Sequence, residues 1–130
     1  DGSIQSLVSA NQAAGFSVVG WTGTGSAGTL GHGLSSAPEL LIVKDGTNAY
    51  NWYVYSTATG SNIGIEGLNT TAASFAASSQ MTTTSTLITD VPSVASLNTS
   101  GQNMVIYAFH QYQDIVRLEV ILEVVVMVMQ

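Results

Sequence analysis

The sequence predicts an all-β protein: an antiparallel β-sandwich, jelly-roll-like, with long Ser/Thr/Gly-rich loops. Three observations carry this reading. Short runs rich in β-branched and aromatic residues recur along the chain, as FSVVGWT from Phe16, LLIV from Leu40, NWYVYS from Asn51 and NMVIYAF from Asn103. Gly, Ser, Pro and Asp-Gly clusters separate them, which is the spacing of strands joined by surface turns. A chain of 130 residues is one domain with one core, and many short strands around a single core close as a sandwich.

The elements follow in order. Residues 1–15 read as a lead-in, with apolar side chains at Ile4, Leu7 and Val8 before the linker-like Ser-Ala-Asn-Gln-Ala-Ala-Gly; it is mostly irregular, with room for an edge strand. The sandwich domain runs over 16–110. Phe16–Thr22 is its first strand, with Phe16, Val18 and Gly20 on one face and Ser17, Val19 and Trp21 on the other, because residues two apart share a face. Gly23-Thr-Gly-Ser-Ala-Gly28 spells G-x-G-x-x-G after a strand. Phosphate binding would need a helix to open there, and Thr29-Leu-Gly-His-Gly33 cannot start one because glycine raises its entropy cost. The motif therefore reads as a hairpin or loop. His32, flanked by glycines, reads as a ring bonded to nearby backbone; the nearest acids, Glu39 and Asp45, lie beyond a proline and a strand.

Pro38 sits at a strand entrance. Leu40–Val43 is a continuous apolar run, the pattern of a strand buried on both faces, and Asp45-Gly46 closes it with turn chemistry. In Asn51–Ser56, Trp52 and Val54 share one face and Tyr53 and Tyr55 the other. One face is core, and the tyrosine face reads first as ordinary packing and otherwise as a subunit or sugar contact. Residues 57–100 read as short strands and long loops, with strand composition over Thr82–Thr89. Asn103–His110 is the last strand, Met104, Ile106 and Ala108 opposing Val105, Tyr107 and Phe109. The core expected from these patterns is Phe16, Val18, Leu41, Val43, Trp52, Val54, Ile106 and Ala108.

Charge and composition exclude several functions. Two basic against eight acidic residues leave a formal charge of −6, which opposes a nucleic-acid groove built on clustered Lys and Arg. No cysteine is present, so there is neither a disulfide framework nor a thiolate metal site. Asp45, Glu39, Glu66 and Asp90 are singletons, and no G-x-S-x-G elbow occurs. The reading is a protein that is not an enzyme, with no catalytic residue, metal or cofactor. Trp21, Trp52, Tyr53 and Tyr55 are the binding candidates, as aromatic platforms for a ligand such as a glycan. The sequons Asn69-Thr-Thr71 and Asn98-Thr-Ser100 carry little weight.

One family resemblance covers about residues 1–110. DGSIQSLVSANQAAGFSVVGWTGTGSAGTLGHGLSSAPELLIVKDGTNAYNWYVYS, then GLNTTAA, then NTSGQNMVIYAFH, resembles a glycine-rich β repeat domain of marine bacteriophage virion proteins. Its pattern carries GVAP where this chain has SSAP, VYH for YVYS, and AYCFA for IYAFH. The resemblance implies a non-enzymatic structural module of a tail fibre or surface appendage, located at the virion surface beside other virion proteins. A capsid decoration protein and a tip module binding a receptor or host surface glycan are the alternatives. Sheet edges with almost no charge imply pairing with copies of itself, as a trimer where the module belongs to a fibre.

After His110 the composition changes. Gln111–Gln130 contains no Gly, Ser or Thr, yet holds three of the eight acids and the one arginine. Arg117, Glu119 and Glu123 interrupt it, so it is no membrane span. With one T restored after the His110 codon, permitted codons read SVPGYSKIGSYTGSGGNGNA, which echoes FSVVGWTGTGSAG. The tail 111–130 thus reads as the frame-shifted start of a further repeat, the alternative being a Val-rich terminal strand. A chain opening on Asp1 reads as a piece of a longer polypeptide.

Overall fold

The computed structural model describes residues 2–56, 63–66, 68–71, 81–111 and 126–129. Among the described residues nine strands run in chain order: β1 (Ser6–Asn11), β2 (Phe16–Thr22), β3 (Gly28–Gly31), β4 (Leu40–Asp45), β5 (Tyr53–Ser56), β6 (Ile63–Glu66), β7 (Thr82–Thr83), β8 (Leu87–Val91) and β9 (Asn103–Phe109). A one-turn helix, α1 (Ala95–Asn98), precedes β9. They form a six-stranded sheet, β1-β2-β9-β4-β5-β6, and a three-stranded sheet, β3-β8-β7. Every pairing is antiparallel. The fold is the all-β antiparallel sandwich that the strand and turn pattern predicts. Within the large sheet, β4, β5 and β6 succeed one another as a meander, while β3 leaves it to pair with β8. Among the described residues no helix is long and apolar enough to cross a membrane.

The stretch read as a lead-in carries β1, the edge strand of the large sheet, so residue 16 opens the second arm of a hairpin. Asn11 Oδ1 accepts from Ala14 N–H and Gly15 adopts the left-handed conformation, which turns the chain back. Antiparallel partners share a face, so the register sorts the side chains. Leu41, Val43, Ile106 and Ala108 point inward as expected and are buried with Met104. Leu30, Leu34, Met81, Ile88, Val91 and Leu97 complete the core with Ile4.

Three expectations about faces are corrected. In β2 the inward residues are Ser17, Val19 and Trp21, because they lie opposite Ala108, Ile106 and Met104. Phe16 and Val18 are half-buried on the outer face, where the Phe16 ring meets Phe109 at 5.0 Å. Ser17 can face the core because its hydroxyl donates to the His32 carbonyl. In β5, Tyr55 and Tyr53 oppose Leu41 and Val43; Tyr55 is in the core and Tyr53 packs on it. Trp52 is 36% exposed and therefore not a core residue, and Val54 is buried but sits with Ile42 outside the main cluster. In β4 only alternate residues are fully buried: the small sheet covers one face of the large sheet, so Leu40 and Ile42 keep partial exposure.

The G-x-G-x-x-G segment leads into β3 rather than a helix. Gly23 N–H donates to Gln102 O, Gly25 N–H to Asn98 O, and Gly101 N–H to Gly23 O. The loop is thereby docked on the turn before β9. A Cβ on Gly23 would lie 2.0 Å from Thr99 O, so the glycine there serves close backbone approach.

Candidate functional site

The structure separates the four aromatic candidates. Trp21 is 5% exposed and its indole N–H donates to Asn98 Oδ1 at 3.1 Å. Tyr55 and Tyr53 belong to the core side. Trp52 alone of the four stands on the outer face, one residue before β5.

Trp52 is held by its neighbours. Its N–H donates to Asn69 Oδ1 at 3.2 Å, Asn69 Nδ2 donates to Asn51 Oδ1 at 3.2 Å, and Leu68 N–H donates to Trp52 O at 2.8 Å. These bonds strap 68–71 to the start of β5. The indole stacks on Tyr107 of β9, with centroids 6.4 Å apart and ring planes 24° from parallel. Trp52, Leu68 and Asn69 line a shallow depression of 260 Å³. A larger recess of 660 Å³ lies at the start of β1, between Ile4, Leu7, Gly20, Trp21 and Met104. It exposes little aromatic surface, because the Trp21 ring is covered.

Four described titratable groups, His32, Asp45, Glu39 and Asp90, are engaged in structure. His32 is fully buried, Nδ1 accepts from Leu34 N–H at 3.1 Å, and Nε2 lies 3.1 Å from Thr84 O. Since Nδ1 accepts, Nε2 carries the proton and donates to Thr84. Burial pushes the His32 pKa down, against the raising effect of the Thr84 carbonyl. This is the backbone-bonded ring that the Gly-His-Gly setting predicts. Asp45 is buried too, and burial alone would raise its pKa. The Asn48 side chain, the Asn48 and Thr47 N–H groups and the Lys44 charge outweigh that and hold it down. Glu39 accepts from Gln111 N–H, and Asp90 from the Thr82 and Thr89 hydroxyls. The Glu66 side chain lies outside the described residues. Among the described residues no cluster of His, Cys, Asp or Glu could hold a metal.

Sequence reasoning missed Asn69, Leu68 and Tyr107 as neighbours of Trp52. Asn69 stood out as a sequon, a signal unrelated to its role here. Asn98, the other sequon asparagine, is fully buried, and its amide nitrogen donates to Thr24 Oγ1 and Ser26 O.

Residues 1–116 match the family model described as a domain of unknown function, DUF7483. The chain belongs to the DUF7483 family. No curated protein and no solved structure matches the chain. The DUF7483 match takes in both sheets and ends before Arg117, inside the segment whose composition changes after His110.

Proposed function

We propose that this DUF7483 domain is a non-enzymatic structural module of a bacteriophage virion, built into a tail fibre or surface appendage and assembled with copies of itself. One observation carries the reading: the outer face of the large sheet holds a central apolar patch. Phe16, Phe109 and Leu40 lie in one cross-strand row, and Val18, Tyr107, Ile42 and Val54 in the next. A solvated sheet face ordinarily alternates to polar side chains, and a contiguous apolar patch marks an interaction surface. The resemblance to phage virion repeats supplies the setting.

The edge of the same sheet supports assembly. β1 carries no charged residue, and Leu7 and Val8 are 85% and 42% exposed. Edge strands that must stay unpaired are blunted by charge or proline. An edge without either device suits addition of a strand from a neighbouring copy, and a trimer closes such contacts in a fibre. Sedimentation of the intact chain and immunogold labelling of phage particles test this. A trimer and labelled surface appendages are the expected results; a monomer at high concentration with unlabelled particles overturns the proposal.

A further inference from the structure

We infer that the Trp52–Leu68–Asn69 depression binds a neutral sugar, with a pyranose ring laid on the indole. The depression shares the outer face and Tyr107 with the apolar rows, but it sits at β5, at the other side of the sheet from the β1 edge, so strand addition at that edge leaves it open. Tyr107 backs the indole, while 36% of the Trp52 surface remains open. The bond from Asn69 Oδ1 to the Trp52 backbone anchors the strap beside the ring, so the platform is held in place before any ligand arrives.

The chemistry at the rim selects the ligand class. Asn69 Nδ2 uses one hydrogen on Asn51 Oδ1 and keeps a second, and Asn51 Nδ2 donates to no group among the described residues. A sugar presents an apolar C–H face for the ring and hydroxyls for such amides. Among the described residues no charged side chain lines the depression. An anionic sugar would find no counter-charge, and a nucleotide could stack its base but would bring phosphate to a chain of net charge −6. A purely apolar ligand would leave the amides unused.

The test is a titration of the intact chain with methyl glycosides of glucose, galactose and mannose, with N-acetylglucosamine and with their neutral oligosaccharides, read by tryptophan emission. Trp21 is buried, so a change reports Trp52. At least one sugar should shift the emission at millimolar concentration, and Asn69→Ala should weaken it about tenfold. Because Trp52→Ala removes the reporter, its binding is read by calorimetry and should be lost; Trp52→Phe should restore part of it. Circular dichroism and sedimentation of the variants should be unchanged, which separates loss of sugar from loss of fold or assembly. Binding of oligosaccharides without the monosaccharides assigns an extended polymer; binding of both assigns a terminal residue. No response to any of these sugars, or equal binding by folded Trp52→Ala, overturns the inference.

Discussion

Trp21 Nε1 donates to Asn98 Oδ1 at 3.1 Å, joining β2 to the C-terminal end of α1 across 77 positions of chain. The same Oδ1 accepts from Thr24 N–H at 2.9 Å, and Nδ2 donates to Thr24 Oγ1 and Ser26 O. One fully buried amide thus spends its donors and acceptor on two residues of the loop after β2, through three bonds, and on Trp21. Asn98→Leu strands the indole N–H and the Thr24 N–H without an acceptor. We expect a loss of about 3 kcal/mol in urea unfolding, with the midpoint reduced and the slope unchanged.

His32 makes stability depend on pH. Its pKa is lowered in the fold from an ordinary 6.5, so the unfolded chain binds the proton more readily. Its contribution is therefore complete above 6.5 and is lost as pH falls from there through the folded pKa. Protonation also costs the Leu34 N–H its acceptor. The melting temperature should drop between neutrality and mild acid, and His32→Gln should flatten that limb. Asp45, depressed from 3.8, adds a second loss only when the pH falls below that value.

Two glycines should respond differently to a methyl group. A Cβ at Gly23 meets Thr99 O at 2.0 Å, whereas Gly101, at φ +77, has nothing within 4 Å of the added atom. Gly101→Ala therefore costs only backbone strain, roughly 1 kcal/mol. Gly23→Ala must also move the Thr99 backbone and should cost at least about 2 kcal/mol. Equal losses in chemical denaturation would refute this ordering.

Leu7→Lys places a charge on the open edge at a side chain that is 85% exposed. It should leave the melting temperature of the monomer unchanged and shift sedimentation toward the monomer, since a charged edge resists strand addition.

The shifted codon reading of the tail makes its own prediction. A gene sequence carrying one further T after the His110 codon, and a C-terminal peptide containing GYSKIGSYTG by mass spectrometry, are the expected findings. A gene that encodes DIVRLEVILE in frame, with that peptide in the spectrum, ends the idea.

The local content of the chain was legible from its residues. β-branched runs and turn clusters marked most strands, and period-2 alternation correctly sorted Met104, Ile106 and Ala108 from Val105, Tyr107 and Phe109. Trp52 was singled out because a tryptophan amid short strands needs either a core or a ligand. Its neighbours were not, because Asn69 is 17 positions away and reaches Trp52 only after the chain between them has folded back.

What the sequence determined by itself is which residues share a face, since the pleat is a property of the single strand. Which face turns inward was decided only in three dimensions. Val19 is inside because its strand pairs with Ile106, and Ser17 can accompany it because the His32 carbonyl, brought over by β3, accepts its hydroxyl. Tyr55 is inside because it lies opposite Leu41, which leaves Trp52 to the outer surface. Alternation fixes a pair of choices within each strand, and the second sheet, covering one side of the first, selects between them for every strand at once.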